Sequence, residues 1–124
     1  MAKQAPDDTL DAALDYIAGS TVMHVLSGYS ADDSYATVVA ASLADVAIDA
    51  TDFVEGAGDV SGRKLTVAAQ NGVPVDVAGA ATHIALVKSA DSTVRYVTTC
   101  TLQEVTLAAS LNLPAWDIEI RDPT

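Results

Sequence analysis

Residues 82–100, THIALVKSADSTVRYVTTC, have the pattern of a β-hairpin and indicate how the rest of the chain folds. Apolar residues crowd both sides of the polar segment 89–92, which has the composition of a tight turn. With Ala90-Asp91 at the turn, the predicted cross-strand pairs are Val87 with Val94, Ala85 with Tyr96 and His83 with Thr98. This register predicts that Cys100 lies diagonal to His83 on the same face.

The same period-two pattern recurs along most of the chain in short segments rich in Val, Ile and Thr. Turn residues such as Asn71-Gly72 separate these segments. Strands are predicted at residues 21–27, 43–50, 63–69, 73–79, 82–88, 94–100, 103–109 and 115–121. Seven or eight short strands of this kind predict a mainly β protein, folded as an antiparallel β-sandwich or a small barrel.

One helix is clear, at residues 7–18, DDTLDAALDYIA. Its apolar side chains recur at i, i+3, i+4 and i+7, which predicts an amphipathic helix with Asp7 or Asp8 as N-cap and Gly19 just past its end. The positions of this apolar stripe are Leu10, Ala13, Leu14 and Ile17. We expect the stripe to cover the sandwich; the alternative is an arm that docks on a neighbouring subunit.

The chain has 124 residues, a length typical of one domain with its own core. We expect an N-terminal arm at residues 1–6, the helix at 7–18 and the sandwich at 21–121. Residues 30–42 are ambiguous, because Asp32 or Ser34 could cap a short helix although the segment contains a β-branched run. The N-terminus lacks the apolar region of a signal peptide, and no apolar run is long enough to span a membrane, so we expect a soluble protein.

Charge and composition narrow the classes of partner. Seventeen acidic and six basic residues give a formal net charge of −11, spread along the chain. Affinity for nucleic acid comes largely from cationic side chains, so we expect neither DNA nor RNA as a partner. Aromatic residues make up 5% of the chain, which disfavours base stacking and broad sugar-stacking platforms. The single cysteine cannot form an intrachain disulfide.

Two segments resemble reactive or phosphate-binding sites. His83 beside Cys100 could activate a thiolate, but the sequence marks no orienting group, oxyanion hole or cleft, and we interpret both residues as structural. Residues 55–64, EGAGDVSGRK, resemble a phosphate-binding glycine loop ending in Arg63-Lys64. Leu65 occupies the position of the Ser or Thr that would bind magnesium, and a strand follows, so a flexible loop is the better interpretation. We expect no enzymatic activity and no cofactor.

The acidic residues between positions 45 and 59 could supply the oxygen ligands of a calcium site. They are Asp45, Asp49, Asp52, Glu55 and Asp59. Their spacing is not that of an EF-hand loop, and alternating acids on a strand are typical of a solvated face, so we expect no metal. His24, between Met23 and Val25, is interpreted as structural.

Several ordered blocks together resemble a family of small proteins encoded among the virion structural genes of tailed bacteriophages. The blocks are DAALDYIA, SGRKLTVAA, ATHIALV, RYVTTC and PAWDIEIRDPT. The resemblance extends over nearly the whole chain and is weakest over residues 28–42. The resemblance implies a virion component and assigns no functional residue.

Among virion locations, a compact acidic β-domain favours the capsid exterior. We therefore expect a decoration or cement protein that is made in the host bacterial cytoplasm and binds the major capsid protein, with self-association as a further possibility. The surfaces favoured for these contacts are the Leu10, Leu14 and Ile17 stripe and the Arg63-Lys64 loop. The alternative is a tail- or fibre-associated module that recognises a host surface ligand through Trp116 and Tyr96.

Overall fold

A computed structural model describes residues 5–122 and contains two helices and nine strands. The helices are α1 (Asp7–Ala18) and α2 (Tyr35–Ala40). The strands are β1 (Val22–Leu26), β2 (Ser42–Ala47), β3 (Phe53–Ala57), β4 (Arg63–Val67), β5 (Gln70–Pro74), β6 (Gly79–Lys88), β7 (Thr93–Val105), β8 (Ser110–Leu113) and β9 (Trp116–Ile120). Of the predicted N-terminal arm, residues 1–4 lie outside the described residues.

The strands form three antiparallel sheets. The largest has the order β2-β1-β6-β7, a second has the order β3-β4-β9, and β5 pairs with β8. The protein is therefore mainly β, with antiparallel sheets in a small sandwich-like arrangement and an N-terminal helix, as predicted. Nine strands are present within residues 5–122, where seven or eight were predicted.

The core lies between the four-stranded sheet and the three-stranded sheet. Met23 and Leu86 come from the first sheet and pack in one cluster with Leu65 and Ile118 from the second. A second cluster joins the large sheet to β5 through Val25 and buried residues including Val73 and Val75. The other face of the large sheet is covered by α2, whose Val38 packs with Leu26, Ala85 and Val87. Both faces of the central strands are consequently buried.

Helix α1 has the bounds predicted from its periodicity, but its beginning differs. Pro6 is the N-cap and gives no side-chain hydrogen bond, while Asp7 and Asp8 lie in the first turn. Because proline presets a φ compatible with helix entry, the chain turns into the helix one residue earlier than an aspartate cap predicts. The negative charges of these two aspartates still interact favourably with the positive end of the helix dipole.

The apolar stripe of α1 packs on its own domain. Leu10, Leu14 and Ile17 are buried, and the last two belong to the main core cluster. Ala13, predicted to share the stripe, is exposed. The proposed contact of these three leucine and isoleucine side chains with another subunit is therefore incompatible with this fold, because it would require α1 to leave the core.

Several strand boundaries differ from the prediction. Strand β3 was missed, because FVEGA has two small residues and one acid where alternating apolar residues were sought. The predicted 103–109 strand is instead the end of β7 followed by a turn, and β8 comes later. Asn71-Gly72 lies inside β5, at an irregularity where Gly72 has a φ of 68°, so it is a bulge and not a hairpin turn. In the ambiguous segment, Ser34 caps α2 by accepting a hydrogen bond from the Thr37 N–H.

The hairpin of residues 82–100 exists, with a partly different register. Val87 pairs with Val94, as predicted. Beyond that point Arg95 is an extra residue in β7, so the remaining predicted pairs are wrong by one residue. The observed pairs there are Leu86 with Tyr96, Ala85 with Val97 and His83 with Thr99.

Candidate functional site

A cleft of about 770 Å³ opens between the end of β7 and the strands β8 and β9. We call it the β7 cleft. Its apolar lining includes Val25, Ala81 and Ile84 from the large sheet and Leu111 and Leu113 from β8. Its polar lining includes Thr98, Thr101, Gln103, Ser110, Asn112 and Asp117. A volume of this size is within the range of ligand-binding sites.

The backbone of β7 has an unusual course along the cleft. Thr99 pairs with His83 and Gln103 pairs with Ala81, so three residues of β7 face the single Thr82 of β6. Extra residues of this kind bend a strand and occur frequently beside functional sites. Cys100 and Thr101 in this bulge both line the cleft. The bulge therefore helps to hold the cleft open.

Strand β7 is at the edge of its sheet and pairs only with β6 among residues 5–122. Eight successive residues, from Tyr96 to Gln103, carry no formal charge and include no proline. The opposite edge, at β2, is covered: the N–H groups of Asp76 and Val77 donate to the Leu43 carbonyl at 2.8 and 3.0 Å. The β7 edge lacks the lysines and prolines that commonly protect edge strands.

Trp116 and Tyr96 lie at one end of the cleft region and pack together. Their ring centres are 5.9 Å apart with 31° between the planes, and both pack against the main core cluster. The indole Nε1 of Trp116 is buried and has no hydrogen-bond partner within residues 5–122. A buried indole N–H without a partner is energetically unfavourable.

Large apolar side chains are exposed beyond the cleft. Leu102 in β7 is 66% exposed, and Leu107, in the turn after β7, is 65% exposed. Both leucines lie close in sequence to residues that line the cleft.

The structure places His83 and Cys100 on opposite faces of the sheet. His83 is directly opposite Thr99, and side chains alternate along a strand, so neighbouring Cys100 points the other way. Burial raises the pKa of the Cys100 thiol, which favours the protonated form over a nucleophilic thiolate. His83 Nδ1 is instead 2.8 Å from the Thr82 hydroxyl, and its ring lies 6.1 Å from that of Tyr29. The predicted proximity of these two side chains was wrong, since it followed from the unbulged register.

Arg63 and Lys64 begin strand β4 and are not part of a flexible loop. Arg63 Nε donates to Asp11 Oδ1 at 2.8 Å, which ties α1 to β4. Lys64 Nζ lies 2.8 Å from Asp59 Oδ1 and 3.7 Å from Asp117 Oδ2. These carboxylates raise the pKa of Lys64, with the hydrogen bond to Asp59 as the main cause. Both cations have carboxylate partners within the domain, so their charge is already compensated.

An acidic pair lies where α1 meets β3. A hydrogen bond with the Asp15 carboxyl group raises the pKa of Glu55 to about 7. Partial burial and the negative charges of Asp15 and Asp11 add to this increase, and Arg63 opposes it. The two carboxyl groups can share one proton near neutral pH.

The residues considered for metal binding do not converge. Within residues 5–122, no group of three or more His, Cys, Asp and Glu side chains is arranged to hold a metal ion. Asp49 instead accepts hydrogen bonds from Thr51, and Asp52 accepts one from the Asp49 N–H. His24 is buried, and its Nδ1 lies 2.9 Å from the Ser42 hydroxyl. Burial lowers the pKa of His24, and the nearby Asp45 charge opposes this decrease.

Neither helix in the described part of the chain has the length and hydropathy needed to cross a bilayer. No family model, curated protein or solved structure matches this chain.

Sequence reasoning missed the β7 cleft. Its lining comes from four consecutive strands, β6 to β9, and from the distant strand β1, and the bulge beside it depends on how β7 pairs with β6.

Proposed function

We propose that this protein is a structural component of a bacteriophage virion and binds the capsid exterior as a decoration protein. Its partners are the major capsid protein and neighbouring copies of itself. The observation that carries the proposal is the open cleft at the end of β7, together with the exposed side chains of Leu102 in β7 and Leu107 in the turn after it. The resemblance of the sequence blocks to virion proteins supports the same conclusion.

The chemistry of the domain suits this role. A decoration protein binds a repeated surface, so contacts that are weak individually gain strength from many copies. The charge of −11 keeps the unbound protein soluble at the high concentration that many copies require. An uncharged strand edge with two exposed leucines then provides a defined place for the contact.

The alternative role, a tail or fibre module that recognises a host ligand, has less support from the structure. That role requires Trp116 and Tyr96 to form an open stacking surface. Both rings pack against each other and against the core, and each is partly buried, so little open ring face is left for a sugar.

The copy number of the protein in purified virions tests the proposal. We expect hundreds of copies distributed over the head, and heads without the protein should remain closed but break at lower temperature or under weaker osmotic shock. A few copies at a single vertex, together with loss of adsorption to cells when the protein is removed, would contradict decoration and support the tail module.

A further inference from the structure

We propose that the β7 cleft binds an extended segment of a partner chain, which adds to the outer edge of β7 as a further strand. This inference rests on the proposed function, because it names the contact through which a capsid partner would be held. Addition of a strand to an exposed sheet edge is a common mode of peptide recognition, in which backbone hydrogen bonds give affinity and side-chain pockets give specificity.

The backbone of β7 provides the first requirement. The outer edge of β7 has no ladder partner within residues 5–122, whereas the β2 edge is covered by the segment around Asp76. The β9 edge of the other large sheet is protected differently, by the alternating charges of Asp117, Glu119 and Arg121. Strand β7 therefore combines an uncovered edge with an uncharged sequence.

The cleft provides the second requirement, a place for side chains. A strand lying along β7 points alternate side chains toward the interior of the sandwich. There the lining is apolar, with Val25, Ile84 and Leu111 among its members.

The lining also defines the chemistry of the segment. It contains one carboxylate, Asp117, and neither lysine nor arginine. Since nothing there compensates a negative charge and the whole chain carries −11, the segment should be neutral or basic. The uncharged run from Tyr96 to Gln103 spans roughly 26 Å as a strand, which corresponds to a segment of about eight residues with apolar side chains at alternate positions.

Two other occupants are less compatible with the cleft. A second copy of this chain would bring another charge of −11 to the edge, and the two chains would repel each other. A saccharide would face an apolar floor, while the one tryptophan ring is already packed against Tyr96.

The test uses a synthetic probe peptide of about nine residues, with alternating threonine and valine and a lysine at each end. Trp116 is the only tryptophan, so its fluorescence reports directly on the cleft. We expect a saturable change with this peptide, a much weaker one when serine replaces each valine, and a weaker one when glutamate replaces the terminal lysines. Absence of any saturable change in folded protein would overturn the proposal.

Site variants make the test specific. Thr101→Lys and Gln103→Lys place a charge at exposed positions that line the cleft, and each should weaken peptide binding at least tenfold. Val54→Lys, at a 65% exposed position on the edge strand of the other sheet, is the matched control and should bind like the wild type. Equal binding by all variants would contradict the assignment.

Two other results would overturn the proposal, because each would show a different occupant of the cleft. The first is a dimer, detected by sedimentation, that the Thr101→Lys variant dissociates but the peptide leaves intact. The other is a fluorescence response to maltoheptaose without a response to the peptide.

The same variants on capsids separate this inference from the proposed function. If wild type and Thr101→Lys occupy stripped capsids equally, decoration stands and the cleft is not the contact. If the peptide binds in the cleft but wild type does not bind capsids, strand addition stands and decoration is wrong.

Discussion

The guanidinium carbon of Arg95 lies 3.7 Å from the centre of the Tyr16 ring and joins the end of α1 to the start of β7. The same side chain donates to the Tyr16 carbonyl, which also accepts from the Gly19 N–H, and to Asp91 Oδ2 at 3.2 Å. Its side chain is only 7% exposed. Arg95 is also the extra residue that shifts the β6–β7 register. Arg95 thus binds the C-terminal end of α1 and is also the bulge residue of β7.

Replacing Arg95 with alanine should destabilise the domain by about 2 kcal/mol, because a cation–π contact and a side-chain hydrogen bond to the end of α1 are lost together. Arg95→Lys should recover only part of this loss, since lysine lacks the planar fork. Urea unfolding gives the free energy of unfolding of the Arg95→Ala and Arg95→Lys variants. Arg121→Ala removes an arginine that is 63% exposed and paired with Glu119, and it should change stability by less than about 1 kcal/mol. Equal effects at the two positions would contradict the role assigned to Arg95.

Leu14→Ala should cost about 2–5 kcal/mol, because the side chain is fully buried in the main core. Ala13→Ser on the exposed face of the same helix should cost under about 1 kcal/mol. The loss at Leu14 should not depend on protein concentration, since the stripe packs within one chain. A loss that disappears in dilute protein would instead support docking of the helix on a neighbour.

Three glycines allow backbone strain and steric overlap to be separated. Gly62 has a φ of 71°, and a Cβ added there would overlap the Ile120 carbonyl. Gly72 has a φ of 68°, but a Cβ added there would meet no atom within 4 Å. Gly56 has no positive φ and has open space around its Cα. Substitution by alanine should cost more than about 2 kcal/mol at Gly62, about 1 kcal/mol at Gly72 and less at Gly56. Thermal unfolding of the three variants gives the order, and a different order would refute this account of the β3–β4 turn.

The Glu55 and Asp15 pair should make stability depend on pH. The pKa of Glu55 is about 7 in the folded protein, against an ordinary value of 4.5. The folded state therefore holds the proton more tightly, and this contribution is complete below about pH 4.5 and is lost as the pH rises through 7.

Glu55→Gln, which keeps a hydrogen-bond donor for Asp15, should remove that loss. The variant should match wild type at pH 5 and exceed it at pH 8 in urea unfolding, while Glu104→Gln at the exposed end of β7 should leave the wild-type dependence unchanged. Parallel pH curves for wild type and Glu55→Gln would show that the pair does not share a proton.

Cys100 should be a slow nucleophile. Burial raises its pKa, so at pH 8 iodoacetamide should alkylate the folded protein more slowly than it alkylates the same protein in urea. Cys100→Ser and His83→Gln should each leave the fold intact at a cost of about 1 kcal/mol. Mass spectrometry follows the alkylation, and a folded protein that reacts faster than the unfolded chain would show an activated thiol.

The sequence by itself determined the elements whose interacting residues are close together in the chain. Residues 7–18 carry a complete helical period, so α1 needs no distant partner to be recognised. Ser34 supplies a local cap for α2, but the β-branched run after it left that segment ambiguous in the sequence. The hairpin of residues 82–100 follows from two apolar runs around a polar turn, and the structure extends it to Gly79 and Val105. In each case the interacting groups are close in sequence, and the side-chain period alone identifies the buried face.

Tertiary structure decided what depends on pairing between distant strands. One extra residue at Arg95 changes which face each later side chain of β7 occupies, and it separates His83 from Cys100. The burial of the α1 stripe, the ion pair between Arg63 and Asp11 and the β7 cleft all join segments far apart in the chain. A one-residue shift in register reverses the faces of a strand, and the composition of that strand does not change with it. For this reason the sequence predicted a mainly β fold with a helix, while only the assembled sheets determined the cleft.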